Sequence, residues 1–178
     1  MERHNVKEMD ISDDGIDLIV HFEGIFLKAY MDPVGVPTIG IGRIKGVTKA
    51  DVINKRTITK QEAYDFLRED LEDEAKRYLK AWIHVPLLQC QYDALVSFCY
   101  NRGAGRFREK IVDQVNAEKW KEAADTLLEY DYSRKNGKKV ILEGLARRRA
   151  AERLLFQGRD WTPLKEVRKW REIAKKLG

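Results

Sequence analysis

The segment from Thr59 to Trp82 constrains the fold of this chain most strongly, because it has the pattern of one unusually long amphipathic helix. Thr59 and Glu62 match a capping box, in which the two side chains cap backbone amides at a helix start. Apolar residues then recur at three- and four-residue steps as far as Trp82. About 22 helical residues rise roughly 33 Å, so this helix is long enough to span the molecule and to connect two lobes.

A helix and a hairpin are predicted before this connecting helix. Ser12, followed by two aspartates, predicts a helix start, and Gly24 predicts its end, which leaves Glu23 in the last turn. The residue pattern then changes from that of a helix to that of β-strands. Two such strands flank the turn sequence Asp32-Pro33-Val34-Gly35. This pattern predicts a β-hairpin in which Asp32, at the turn, lies near Thr38 on the returning strand.

The remainder of the chain is predicted to be helical after Pro86. The fold class is therefore α+β but mostly α, with a small β-containing N-terminal lobe, a long connecting helix and a helical C-terminal lobe. The expected helices are 87–101, 107–116, 118–130, 143–157 and 163–176, with a break at Gly103-Ala104-Gly105, a basic loop at Asn136-Gly137 and Thr162-Pro163 as the start of the last helix. The expected organisation is one domain over 1–178, divided into 12–58 (with a loop at 43–57), 59–82, 83–162 and 163–178.

Charge is distributed unevenly along the chain. The formal net charge is +5, but residues 133–178 hold 15 Lys or Arg against 5 Asp or Glu. A basic C-terminal third is typical of proteins with an anionic partner, such as nucleic acid, a cell-wall polymer or a lipid surface. A solvated surface that keeps the protein soluble explains the same charge equally well.

The cysteines and histidines give little indication of a redox or metal site. Cys90 and Cys99 fall within one predicted helix, where nine residues rise about 13 Å, too far for a disulfide. The three histidines have no metal-ligand spacing with them or with each other. The sequence also contains no apolar run long enough for a membrane span and begins with a polar segment, so we expect a protein made in the cytosol.

Two carboxylates and a hydroxyl, those of Glu23, Asp32 and Thr38, are expected to lie close together in the N-terminal lobe. Glycosidic cleavage needs a protonated carboxyl group at the leaving oxygen and a second carboxylate near the anomeric carbon. The end of a helix and apolar neighbours favour the protonated form of Glu23, whereas a turn rich in amides favours an ionised Asp32. Thr38 is a poor nucleophile unaided but can hold a water. This set fits an inverting glycoside hydrolase, although each residue alone is more often structural than catalytic, as part of a helix end, a turn or a strand.

The same residues carry a resemblance to a known family. Glu23, eight residues, Asp32, five residues, Thr38 resembles the catalytic signature of the phage-type lysozymes, the endolysin muramidases of tailed phages. The resemblance extends over roughly residues 12–160. It includes TIGIGR at 38–43, ITKQEAYDFLREDL at 58–71, QYDALVSFCYNRGAGRF at 91–107, WKEAADTL at 120–127 and GLARRRAAERLLFQG at 144–158.

The resemblance implies a lysozyme-like two-lobe fold and bacterial peptidoglycan as the substrate, cut at the β-1,4 bond between N-acetylmuramic acid and N-acetylglucosamine. It implies Glu23 as the general acid, Asp32 with Thr38 positioning the attacking water, and inversion at the anomeric carbon. It implies no cofactor and no metal. By the same analogy we expect a monomer that accumulates in the host cytoplasm until a holin lets it reach the wall.

Four further residues are assigned with help from the resemblance. An arginine of the run Arg147–Arg149 is expected to pair with Glu23, and Arg148 is preferred. Such a pair would lower the pKa of Glu23, against the effect of the helix end, so the sequence does not predict the direction of the net pKa shift. Asn101 is expected to reach saccharide across the cleft, with an ordinary helix-terminal role as the alternative. Arg43 replaces the usual histidine of the family and is expected to form a structural ion pair with Asp70.

The basic amphipathic C-terminal helix and the overall function each leave alternatives open. The helix is expected to pack its Trp170 onto the core, or otherwise to bind an anionic envelope surface. For the whole protein, the alternatives to a muramidase are a lytic transglycosylase on the same fold and an inert wall-binding module. A nucleic-acid-binding protein is disfavoured, because no nucleic-acid motif is recognised.

Overall fold

The computed structural model of the chain describes residues 2–135 and 138–177, with the side chains of 133–138 and 173–177 outside the description. Its α-helices are α1 Asp13–Glu23, α2 Lys49–Ile53, α3 Lys60–Leu71, α4 Arg77–Trp82, α5 Gln89–Glu109, α6 Ile111–Asn116, α7 Trp120–Leu127, α8 Glu143–Phe156 and α9 Val167–Leu177. Its strands are β1 Phe26–Met31, β2 Pro37–Gly40, β3 Tyr132–Lys135 and β4 Lys138–Ile141. The predicted mostly α, α+β class is therefore confirmed.

The boundaries of α1 follow from the caps that the sequence indicates. Ser12 has an extended backbone and its hydroxyl accepts a hydrogen bond from the Gly15 amide, which starts the helix. Gly24 ends the helix with a φ of 76°, a conformation that side chains with a Cβ disfavour. Glu23 is therefore fixed at the last helical position, as predicted.

The predicted β-hairpin is also present. Strands β1 and β2 pair antiparallel, with Tyr30 opposite Thr38 and Met31 opposite Pro37. The Asp32 amide donates to the Val36 carbonyl at 2.9 Å and closes the turn. The segment expected to be a loop, 43–57, contains the short helix α2.

The connecting helix runs from Lys60 to Trp82 as predicted, but it contains a π-helical turn, Glu72–Lys76, that the sequence did not indicate. At this turn the ammonium of Lys76 is almost buried and pairs with Asp10, at 2.8 Å, and with Glu72. The π turn thus coincides with a contact between the connecting helix and the N-terminal segment. Val6 and Met9 of that segment are buried in the core, which the sequence analysis did not foresee.

The helical lobe is built around α5, which packs against α1 and α8. The expected break at Gly103 is a kink within α5, where the glycine has a φ of 79°. The expected helix 118–130 is α7 followed by a 3-10 turn, Leu128–Tyr130.

The prediction that only helices follow Pro86 is wrong, because β3 and β4 form an antiparallel hairpin. Tyr132, Val140 and Ile141 are residue types that favour strands, and four-residue strands are too short to show a clear period. The expected loop at Asn136-Gly137 lies outside the described residues.

The C-terminal segment differs from the prediction at its start. Thr162 and Pro163 begin a separate 3-10 turn, Thr162–Lys165, and the extended backbone of Glu166 ends it before α9. Trp170 packs against the core and Arg171 pairs with Glu143 at 2.8 Å, so the described part of α9 is docked on the helical lobe. The apolar positions expected at Ile173, Ala174 and Leu177 lie outside the described side chains.

The two expected free thiols are confirmed: Cys90 and Cys99 form no disulfide, and Cys99 is buried.

Candidate active site

The two carboxyl oxygens of Glu23 have different surroundings: one is hydrogen-bonded to an arginine, and the other lies on the side of the cleft. Its Oε1 accepts a hydrogen bond from Nη1 of Arg148 on α8 at 2.5 Å. Its Oε2 lies beside Gly42, where a Cβ would stand 3.3 Å from that oxygen and 3.5 Å from the Tyr100 hydroxyl. The carboxyl group of Glu23 is therefore oriented by Arg148, with Oε2 on the side of Gly42 and Tyr100.

A cleft of about 230 Å³ opens at this point. It has walls from α1, the loop after β2, the connecting helix and α5. Its lining residues are Glu23, Gly42, Ile44, Lys45, Asp70, Glu74, Tyr100 and Asn101. Glu23 and Asn101 thus share the cleft that the resemblance predicts, whereas Asp32 and Thr38 lie outside this lining.

Asp32 and Thr38 are brought together around the backbone of one residue, Val36. Oδ1 of Asp32 accepts hydrogen bonds from the amides of Val34 at 3.0 Å and Val36 at 2.7 Å. The hydroxyl of Thr38, which is buried, donates to the Val36 carbonyl at 3.0 Å. Among the described residues, no hydrogen bond ends on Oδ2 of Asp32, so this oxygen and the Thr38 lone pairs can accept from a further partner.

Tyr30, on β1, lies between Glu23 and Asp32 in the chain and is influenced by the charges of both. Burial raises the pKa of the Tyr30 phenol, and the charges of Glu23 and Asp32 raise it further. Tyr30 also packs its ring against Phe26, with centroids 4.6 Å apart, and Phe26 is half exposed. Sequence analysis missed Tyr30, although it lies on β1 only two residues before Asp32.

Behind Glu23 lies a buried network of charged groups. Arg148 donates from Nε to Oε1 of Glu152 at 3.1 Å and from Nη2 to the hydroxyl of Ser97 at 3.3 Å. Arg149 donates from Nη2 to the same oxygen of Glu152 at 2.9 Å and to Oδ1 of Asn101 at 3.0 Å. Glu23 and Asn101, which both line the cleft, are thus held by consecutive arginines that share one carboxylate.

The two arginines have opposite pKa shifts. Burial lowers the pKa of Arg148, but the charges of Glu23 and Glu152 more than offset this, so the net pKa is raised. Burial lowers the pKa of Arg149 to about 10, because only the Glu152 charge and a weaker contribution from Glu23 oppose it. Both side chains remain cationic at neutral pH.

The expected ion pair of Arg43 and Asp70 is present on the far wall of the cleft. Nη1 of Arg43 donates to Asp70 at 2.9 Å and to Glu69 at 3.0 Å, and the guanidinium lies over the Phe66 ring. Burial raises the pKa of Asp70 to about 6, against the opposing charge of Arg43. Neither side chain contacts Glu23, which agrees with a structural role.

The Phage lysozyme family model matches residues 20–152 of this chain. The chain belongs to the phage lysozyme family. The endolysin of Salmonella phage P22 is 38% identical over 149 residues, which cover 83% of this chain and 98% of that protein. The endolysin of Acyrthosiphon pisum secondary endosymbiont phage 1 is 36% identical over 150 residues, 84% of this chain and 99% of that protein.

Solved structures agree with the family. The muramidase domain of SpmX from Asticaccaulis excentricus superposes with a TM-score of 0.75 at 34% identity, covering 84% of this chain and 98% of that domain. A mutant of P22 lysozyme superposes with a TM-score of 0.71 at 35% identity, covering 84% and 99%. The lysozyme-like fold and the family expected from sequence are confirmed, and the protein is a peptidoglycan-hydrolysing muramidase of the phage endolysin type.

The described residues hold no group of three or more His, Cys, Asp or Glu side chains arranged to bind a metal ion. No helix within residues 2–135 and 138–177 is both long and apolar enough to cross a bilayer.

Sequence analysis missed Glu152 and Ser97 as well as Tyr30. Arg148 and Glu152 are four residues apart on α8, a spacing that could have indicated their ion pair. Only the tertiary structure reveals that this pair is buried behind Glu23.

Proposed function

We propose that this lysozyme cleaves the β-1,4 bond between N-acetylmuramic acid and N-acetylglucosamine with inversion of the anomeric centre. Glu23 is the general acid, and Asp32 with Thr38 holds and activates the water. The observation that carries this proposal is that the two carboxylates, one before β1 and one after it, are held in different ways. One carboxylate is bound to a buried guanidinium and the other to backbone amides, as two distinct chemical roles require.

In the first role, Glu23 gives its proton to the glycosidic oxygen as the bond to the anomeric carbon breaks. The hydrogen bond from Arg148 to Oε1 orients the carboxyl group, so Oε2 carries the proton on the side of Gly42 and the cleft. After transfer, the carboxylate is ionised next to a permanently charged guanidinium. This contact stabilises the charge that develops on Glu23 during the reaction.

In the second role, Asp32 and Thr38 orient one water. The Thr38 hydroxyl donates to the Val36 carbonyl, so it offers only lone pairs to a water. Oδ2 of Asp32 is an acceptor as well. A water that donates one hydrogen to each acceptor directs its own lone pair outward to the anomeric carbon, and Asp32 takes its proton. Inversion requires the Glu23 and Asp32 carboxyl groups to be about 6.5–9.5 Å apart.

Two supporting residues complete the proposal. Asn101 uses its amide oxygen to accept from Arg149, which leaves its amide nitrogen to donate to a sugar in the cleft. Arg43 and Asp70 keep a structural role, joining the loop after β2 to the connecting helix.

The test is the anomeric configuration of the first product, followed by proton NMR during cleavage of a soluble peptidoglycan fragment. We expect the α-anomer to form first from wild type and no product from Glu23→Gln. Asp32→Asn and Thr38→Val should lower turnover without changing the product. A β-anomer formed first would refute inversion, and anhydro sugar ends would indicate a lytic transglycosylase. If the protein binds the wall but releases no product, the remaining alternative is an inert wall-binding module.

For its partners, we propose that the enzyme acts as a monomer on peptidoglycan and that α9 mainly covers the helical lobe. Packing of Trp170 supports this role, and Arg168, Lys169 and Arg171 each have an acidic partner within 3.6 Å. Deletion of residues 163–178 should therefore lower the melting temperature. Unchanged melting with weaker lysis of whole cells would favour an anionic envelope surface as the partner of this helix.

For its location, we propose that the enzyme accumulates in the host cytoplasm and reaches the wall after a holin permeabilises the membrane. The proposal follows the endolysin relatives. Fractionation of host cells before lysis should place the protein in the cytoplasmic fraction, and its recovery with membranes would contradict this location.

A further inference from the structure

Glu152 is a fully buried carboxylate on α8, one helical turn after Arg148. Its Oε1 accepts three hydrogen bonds, from Ser97 Oγ at 2.7 Å, Arg149 Nη2 at 2.9 Å and Arg148 Nε at 3.1 Å. Glu152 does not line the cleft, so it is not placed to touch substrate. A charge this deeply buried is costly unless it is paired with opposite charge, as it is here.

We propose that Glu152 is a positioning residue whose buried negative charge offsets the charges of Arg148 and Arg149 behind Glu23. The proposal rests on the role of Glu23 as the general acid. Glu152 fixes Arg148, which orients Glu23, and Arg149, which holds Asn101. It also supplies the second negative charge for the two arginines, so that Glu23 is not their only counter-ion.

The charges around the network determine the direction of the effect. With Glu23 ionised, the four groups Glu23, Arg148, Arg149 and Glu152 are neutral together; with Glu23 protonated, they carry one positive charge. If Glu152 were neutral, these totals would become +1 and +2. Without the charge of Glu152, the positive charge of the two arginines would be less well balanced and would favour the ionised form of Glu23. Glu23 would therefore lose its proton at a lower pH.

Other titratable groups surround the network but do not replace Glu152. The Tyr30 phenol of β1 and the Tyr100 hydroxyl of α5 both lie within the field of Glu23, and Asp32, in the turn after β1, also acts on Tyr30. Arg102 of α5 adds a further positive charge near Arg149, which increases the need for a counter-charge.

Charged groups at the edge of the network are mostly paired elsewhere. Asp70 and Glu74 of the connecting helix act on Tyr100, and Asp70 is paired with Arg43. On the α7 side of α8, Arg153 pairs with Asp125 at 2.7 Å. Within the described residues, Glu152 is therefore the buried carboxylate that directly balances Arg148 and Arg149 alongside Glu23.

The decisive variant is Glu152→Gln, which keeps the size of the side chain and an oxygen that can accept from Ser97 and the arginines. We expect the alkaline limb of the kcat/KM profile, above which Glu23 has lost its proton, to move down by about one pH unit. The Glu23 carboxyl carbon, identified by the NMR signal that Glu23→Gln lacks, should titrate at correspondingly lower pH. This second readout does not depend on activity.

Matched variants separate charge from packing. Arg149→Gln removes a positive charge from the same network and should move both midpoints to higher pH. The double variant Glu152→Gln/Arg149→Gln removes one charge of each sign and should return both midpoints close to the wild-type values. A purely structural role for Glu152 predicts lower stability in all three variants without these opposite shifts.

The signs of the pH shifts in the three variants decide whether the charge of Glu152 acts on Glu23. Opposite shifts in the single variants, with recovery in the double variant, support the proposal. An unchanged carboxyl midpoint in Glu152→Gln, or shifts of the same sign in both single variants, overturn it. If Glu152→Gln does not fold, Arg149→Gln alone decides, because an unchanged or lowered Glu23 midpoint would overturn the proposal. If Glu23→Gln keeps full activity, the proposed role of Glu23 fails instead, and the carboxyl titration reports the coupling separately.

Discussion

Replacement of Gly42 by alanine tests how closely the chain approaches Glu23. A Cβ at this position would stand 3.3 Å from Oε2 and 3.6 Å from Cδ of Glu23. These distances are slightly shorter than a comfortable contact, so the carboxyl group must move by a few tenths of an ångström. Gly42 also has a φ of 78°, which costs an alanine about 1–2 kcal/mol. We therefore expect Gly42→Ala to lose about 1–2 kcal/mol of folding stability. We also expect its activity to fall by more than this loss of stability explains.

Gly46→Ala is the matched control. Gly46 has a similar φ of 68°, but a Cβ there would meet nothing within 4 Å. Both variants should lose similar stability in urea unfolding, since the backbone cost is shared. On purified peptidoglycan, Gly42→Ala should be at least about tenfold slower than Gly46→Ala, equivalent to about 1.4 kcal/mol of transition-state stabilisation. Equal rates in the two folded variants would refute the argument that Gly42 leaves room for Glu23 and the sugar.

Three further predictions concern Asp70, Thr38 and Trp170. Burial raises the pKa of Asp70 from 3.8 to about 6, so the folded state binds its proton more tightly than the unfolded chain and stability falls as pH rises from about 4 to about 6. Asp70→Asn should remove this fall, of at most about 3 kcal/mol, in urea unfolding across that range; a wild type that instead gains stability relative to the variant would mean that the Arg43 charge outweighs burial. Thr38→Val should lower kcat on purified peptidoglycan about 10- to 100-fold, since it loses the hydroxyl that holds the water, while Thr38→Ser should keep most of the rate; equal rates for the two would remove Thr38 from the chemistry. Trp170→Ala should lower folding stability in urea by about 1–3 kcal/mol, because it uncovers the helical lobe, and leave peptidoglycan turnover unchanged; an unaltered unfolding curve would show that α9 does not stabilise this lobe.

Local signals in the sequence predicted much of the N-terminal lobe and the connecting helix. Ser12, Gly24 and the Thr59–Glu62 capping box act over three or four residues, so their effect can be read without knowing the fold. The turn sequence that begins at Asp32 is also a signal of only a few residues, and it correctly predicted the position of the β-hairpin.

Features that depend on distant partners could not be predicted in this way. The π turn at Glu72–Lys76 accompanies a buried lysine whose partner, Asp10, is more than 60 residues away in the chain. Thr162 and Pro163 have the pattern of a helix start, but Glu166 has an extended backbone and leaves them in a separate short turn.

The candidate site shows the same division. Glu23, Asp32 and Thr38 were found by their spacing, since a helix end, a turn and the paired strand are close in sequence. Glu152 was missed because a Glu four residues after an Arg is usually a solvent-exposed pair, worth little. Its burial against α5 places it in the charged network behind Glu23, and burial of this kind depends on the packing of two helices.

The division of the chain into 12–58, 59–82, 83–162 and 163–178 within one domain stays a prediction. Burial of Val6 and Met9 adds the N-terminal segment to the core. If all four segments form one cooperative unit, thermal unfolding should be a single transition by both near- and far-ultraviolet circular dichroism. Two separate transitions would contradict a single domain.

Mass spectrometry of the products released from purified peptidoglycan in ¹⁸O-labelled water tests the central claim most directly. If Glu23 protonates the leaving group and water attacks the anomeric carbon, wild type releases reducing muropeptides that carry one ¹⁸O atom, and folded Glu23→Gln releases none. Unlabelled anhydro muropeptides from wild type, or labelled products from Glu23→Gln at the wild-type rate, would contradict the account.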